Sequence, residues 1–132
     1  MIKESFSIEK YLKNGSFDEH GRPKREIYLD WAETISEDLE KEGMTKASLR
    51  RFYSQVKVLQ PLLQENFDDN KHKLYRVLTL ATYGVNRDQD VKLPDMFLYF
   101  IRQNIELATK DLKHYLAFLD HFESVVAYFK GK

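Results

Sequence analysis

At 132 residues with 42% hydrophobic content, the chain is sized for one domain with its own buried core. Its 21 basic and 21 acidic side chains cancel, which excludes a uniformly basic nucleic-acid coat and leaves local charge segregation as the only way to attract an anion. With no cysteine there are no disulfides, thiolate metal sites or cysteine nucleophiles, and no apolar run approaches the roughly 20 residues that span a bilayer, so a soluble cytoplasmic protein without a membrane partner is expected.

Residues 1–25 mix charges with Gly15, Gly21 and Pro23 and offer only Phe6, Ile8, Tyr11, Leu12 and Phe17 for burial. They read as a mobile arm holding a short helical turn, ahead of a bundle domain over 26–132. The first full helix is expected from Glu26 to Glu42, where Ile27, Trp31, Ile35 and Leu39 repeat at steps of four and Gly43 ends the run. That segment holds seven acidic residues and one lysine.

The second helix starts after Thr45, whose hydroxyl suits an N-cap, and should kink or stop near Gln60 because Pro61 follows. At 100° per residue, Leu49, Phe52, Val56, Leu59 and Leu63 form a core stripe, while Lys46, Arg50, Tyr53 and Lys57 form a neighbouring basic one. From Thr45 to Asn66 there are four basic residues and one glutamate, so an acidic helix is followed by a basic one. This patterning is equally compatible with complementary faces inside a bundle and with anion binding.

A third helix is expected from about Asp69 to Tyr83, burying Leu74, Val77, Leu78 and Ala81, with Gly84 closing it and a polar connection through Leu93. From Pro94 to Phe129 apolar residues recur at steps of three and four: Leu98, Ile101, Ile105, Ala108, Leu112, Tyr115, Leu119, Phe122, Val126 and Phe129. Two helices broken near Ala108–Lys110 are favoured over one rod, with Thr109 as a possible N-cap and Asp111 in the first turn. No period-two segment competes, so the expected fold is all-α, a compact bundle of about five helices.

Catalytic patterns are missing: no GxSxG, no phosphate-cradling glycine loop and no HExxH occurs. His20, His72, His114 and His121 read as solvated or core-edge histidines. His114 and His121 with Glu123 form only a weak metal pattern, because helical metal pairs usually come four apart. Neither an enzyme nor a cofactor is expected. Tyr53, beside Arg50 and Lys57, suits either a contact to sugar, phosphate or base, or the edge of the core.

The segment TKASLRRFYSQVKVL resembles the signature of the small subunit of type III-A CRISPR effector complexes (the Csm family), roughly T-x-x-[QS]-L-R-[KR]-F-Y-x-x-[IV], through Thr45, Leu49, Arg50, Arg51, Phe52, Tyr53 and Val56. A second stretch, FLDHFESVVAYFK, resembles the family's C-terminal motif through Phe118 or Phe122, Glu123, Val125, Val126, Ala127, Tyr128 and Lys130. LATYGVNR is similar to a central family segment, with Thr82 inserted between Ala81 and Tyr83 ahead of Arg87. The resemblance implies a non-catalytic helical subunit in antiviral defence that stacks with further copies of itself beside guide RNA and target RNA, together with a large subunit and backbone subunits. Lys46, Arg50, Arg51 and Lys57 would then meet phosphates, Tyr53 would pack on sugar or base, and Arg87 and Lys130 would extend the track. The rival reading is a protein-binding or self-assembling helical adaptor in which the acidic helix meets a neighbour's basic stripe.

Overall fold

The computed structural model describes residues 10–87 and 93–132. Among these, α1 (Arg25–Tyr28), α2 (Asp30–Lys41), α3 (Lys46–Lys57), α4 (Gln60–Glu65), α5 (Phe67–Asn70), α6 (Lys73–Asn86), α7 (Asp95–Ala108) and α8 (Leu112–Tyr128) account for all regular structure apart from an isolated bridge between Phe17 and Pro23. Five of them, α2, α3, α6, α7 and α8, run for 12 residues or more and form the expected all-α bundle. No helix among the described residues is long and apolar enough to cross a membrane.

The antiparallel pair α7 and α8 forms the spine. Between them lie Phe97, Phe100, Ile101, Ile105, Tyr115, Phe118, Phe122 and Val125, all buried. Phe100 meets Phe122 edge-on at 5.2 Å and 89°, an arrangement that sets a positive ring edge against a negative face. Helix α2 packs on α8 and α7; α3 packs on α8 and α6, and α6 packs on α7.

Helix ends follow local chemistry. Gly43 takes φ +90°, letting Gly43 N–H reach the Glu40 carbonyl and Met44 N–H reach that of Leu39, which closes α2 and tucks Met44 into the core. Thr45 Oγ1 accepts the Ser48 amide at 3.1 Å, as an N-cap should. Pro61 offers no N–H to the Lys57 carbonyl, and the chain breaks between α3 and α4 before it.

Several expected details change. The first helix is divided at Leu29 (φ −119°, ψ −86°), and within this break the Ile27 carbonyl accepts a bond from the His121 ring. Residues 67–70 form a separate short helix, so the third long helix begins at Lys73 rather than near Asp69. The break between α7 and α8 is capped by Asp111, whose carboxylate accepts the His114 amide at 2.9 Å; Thr109 instead bonds back to the Ile105 carbonyl at the end of α7. Phe6 and Ile8, like 88–92 in the connection, lie outside the described residues, but residues 10–24 fold onto the bundle, with Tyr11, Leu12 and Ser16 buried.

A last change concerns Gly84, which lies inside α6 rather than at its end. A β-carbon there would stand 2.4 Å from Leu93 Cδ1 and 2.8 Å from Leu93 Cγ, so glycine is needed for close approach and not for a turn. Alanine at this position gains helix propensity, about 1 kcal/mol, yet the overlap with buried Leu93 outweighs it. Gly84→Ala is therefore expected to lower the melting temperature in a thermal scan. The same change made in a Leu93→Ala background should cost little more than Leu93→Ala alone; an equal drop in both backgrounds would exclude the Leu93 contact as the reason.

Candidate nucleic-acid interface

Helix α3 is held by its core face: Leu49, Phe52 and Val56 are buried, and the Phe52 ring meets Phe97 edge-on at 4.9 Å. Its last turn is pinned by Tyr115, whose hydroxyl donates to the Val56 carbonyl at 2.6 Å. Burial pushes the Tyr115 hydroxyl far above the ordinary phenol range, so it stays a donor. The remaining surface divides into two flanks.

Lys46, Arg50, Tyr53 and Lys57 occupy the flank toward α8. Tyr53 is half-buried on the Phe122 ring at 5.5 Å, its hydroxyl donates weakly to Glu123 Oε2 at 3.4 Å, and Lys57 Nζ lies 5.8 Å from its ring centroid. Partial burial raises the Tyr53 hydroxyl, with smaller contributions from the Glu123 and Asp120 carboxylates. This flank is therefore charge-mixed: Arg50 and Lys57 are exposed cations, but α8 brings the carboxylates of Glu123 and Asp120 to act on Tyr53 between them. Tyr28 donates to one of these, Asp120, at 3.0 Å.

Arg51, two residues before Tyr53, lies about 200° around the helix and faces α6. Two adjoining cavities run between α3 and α6. The smaller, about 140 Å³, is lined by Arg51, Gln55, Tyr83 and Arg87 over Phe52, Leu80, Gly84 and Leu93. The larger, about 440 Å³, is lined by Lys73 and Arg76 with Gln55, Val58, Leu59, Val77 and Leu80. Gln55 and Leu80 belong to both, so the two form one groove, and among the described residues no carboxylate lines it. Arg51 also donates to Ser48 Oγ at 3.2 Å.

The structure thus brings Arg51 and Arg87 together and separates them from Arg50, Tyr53 and Lys57. Lys130 lies elsewhere: its side chain is exposed past α8, and its backbone amide donates to Glu40 of the acidic helix at 2.9 Å. Lys73, Arg76 and Tyr83 are additions to the sequence reading, although Lys73, Arg76, Leu80, Tyr83 and Arg87 recur at steps of three and four and so share one face of α6. Neither α3 nor α6 contains an acidic residue, whereas α2 carries Asp30, Glu33, Glu37, Asp38 and Glu40.

The histidines give no metal centre. Among the described residues no cluster of three metal-ligating side chains occurs. His114 is bonded to Asp111 through Nδ1 at 2.7 Å, and this contact holds the Asp111 carboxyl below the usual range. His121 is fully buried with both ring nitrogens engaged, Nδ1 to the Ile27 carbonyl at 2.6 Å and Nε2 to the Tyr11 hydroxyl at 2.7 Å. It serves the core, and Glu123, exposed on α8, does not join it.

No curated protein and no solved structure matches the chain. The family described as Csm2 Type III-A matches it over residues 23–132, a span that takes in both basic helices and the C-terminal motif. With five sixths of its length inside that match, the chain belongs to the Csm2 Type III-A family.

Proposed function

We propose that this small subunit of a type III-A CRISPR effector complex binds the backbone of guide and target RNA through α3 and the facing side of α6, without catalysing a reaction, and stacks with further copies in cytoplasmic antiviral defence. The observation that carries this reading is the segregation of charge. A chain of zero formal net charge has placed Lys46, Arg50, Arg51, Lys57, Lys73 and Arg76 on two adjacent helices that lack acids. Base pairing with a guide supplies sequence recognition, so the protein needs only shape and positive charge, and each subunit can bind weakly while repeated copies add avidity.

Replacing Arg50 and Lys57 together with alanine is expected to weaken retention of target RNA by the assembled complex about tenfold at moderate salt and to flatten its salt dependence. Far-UV circular dichroism should not change, since both side chains are exposed. Retention at the unsubstituted level would remove this flank from the interface. A second reading, self-assembly in which the acidic α2 of one copy meets the basic stripe of the next, is favoured by the five carboxylates of α2 set against the acid-free α3. Salt-sensitive association of the protein alone in sedimentation would favour it.

A further inference from the structure

The groove between α3 and α6 combines two features that a purely electrostatic track does not need. Its cations sit at both ends, Lys73 and Arg76 at the larger cavity and Arg51 with Arg87 at the smaller. Its floor is apolar: Val58, Leu59, Val77 and Leu80 line the larger cavity, and Val58 is left 68% exposed although it is a large aliphatic side chain. Tyr83, 64% exposed, stands at the wall of the smaller one. Gln55, on the wall common to both, has its Oε1 buried with no hydrogen-bond partner.

We propose that this groove seats an unpaired stretch of single-stranded RNA, one base resting on the apolar floor of the larger cavity and its flanking phosphates meeting Lys73 and Arg76 on one side and Arg51 on the other. The inference rests on the RNA-binding reading and assigns it a second locus, with three residues, Lys73, Arg76 and Tyr83, outside the α3 stripe. Volume and chemistry agree. About 440 Å³ falls within the range of small-ligand sites and admits a base with part of its ribose, whereas about 140 Å³ suits a phosphate group. Tyr83, exposed at the wall of the smaller cavity, offers a ring face to the next base. Paired bases in an A-form duplex are stacked away from such a floor, so the groove discriminates between single and double strands. With no lining carboxylate among the described residues, the occupant that fits is a polyanion with flat apolar parts.

The test measures binding by fluorescence anisotropy at low salt, using the full chain and three probes: a labelled single-stranded RNA of about ten nucleotides, the same RNA paired to its complement, and an abasic strand of equal length. The single strand should bind several-fold tighter than either other probe. Lys73→Ala with Arg76→Ala should weaken it about five- to tenfold and lower the slope of log affinity against log salt by about 1.4, at roughly 0.7 for each phosphate no longer neutralised. Equal binding of the duplex or of the abasic strand would overturn the base seat. Normal binding by the Lys73/Arg76 variant alongside weakened binding by the Arg50/Lys57 variant would overturn the groove and leave the RNA reading standing. No binding by the unsubstituted chain to any probe would remove both. RNA-free self-association that the Lys73/Arg76 variant abolishes would reassign the groove to a second copy of the chain.

Discussion

Phe122→Ala is expected to destabilise the fold by about 3–5 kcal/mol, the range for deleting a large aromatic side chain from a close-packed core. The position is chosen by its neighbours: Phe122 is fully buried and its ring meets those of Tyr53, Phe97, Phe100 and Phe118, so no single neighbour can move to fill the space left. Against a typical total of about 5–15 kcal/mol, this is a large fraction, and thermal denaturation should show a fall on the order of 10–20 °C. Val126→Ala, at a half-buried site on the same helix, should cost well under half as much. Equal losses at the two positions would mean that the aromatic cluster is not the centre of the core. Because Tyr53 leans on Phe122, the truncation should also loosen the flank that carries Arg50 and Lys57, and under the proposed RNA-binding role retention of RNA by the variant should fall at temperatures where it remains folded.

Acidification from about pH 7 to about pH 4 is expected to remove on the order of 3 kcal/mol through one residue, His121. Burial lowers its pKa from 6.5 to about 4, opposed only in part by the bond to the Ile27 carbonyl. That carbonyl can only accept, so Nδ1 carries the proton and Nε2 is bare, accepting from the Tyr11 hydroxyl, whose oxygen in turn accepts from Asn104 Nδ2 at 2.8 Å. A second ring proton on Nε2 would have to displace the Tyr11 hydroxyl proton that Nε2 now accepts, and it would place a charge in the core. The unfolded chain takes up that proton below pH 6.5 while the folded chain resists until about pH 4; stability is complete above the first value and lost progressively down to the second. Urea titrations at intervals across this range should show the loss, and His121→Gln, which does not titrate, should show a shallower dependence even if it starts less stable. An identical slope in the variant would assign the acid sensitivity to the carboxylates instead.

The sequence made legible whatever depends on neighbours within a helical turn or two. The Thr45 cap, the break before Pro61 and the core stripe of α3 each follow from side chains next to one another in the chain. What escaped depends on contacts between distant segments. Gly84 reads as a helix stop until Leu93 is seen lying against it, and His121 reads as a core-edge residue until Tyr11, 110 positions away, reaches its ring. The same limit shaped the candidate interface. The stripe on α3, and the turn that sets Arg51 off from Arg50, follow from periodicity alone, but the groove needs α6 beside α3, and only that juxtaposition groups Arg51 with Arg87 and brings Lys73 and Arg76 into account.

The position of α8 in chain order bears on how the molecule is made. Helices α1, α2, α3 and α7 all pack against it, and the buried bonds of Tyr11, Ile27 and Val56 end on its side chains, yet it follows every one of them along the chain. During synthesis at roughly 5–20 residues per second the faces of these helices that pack on α8 leave the ribosome uncovered, and they stay so until α8 emerges. A ribosome that stalls within α8 is therefore expected to release a chain with those faces bare and open to a chaperone or protease.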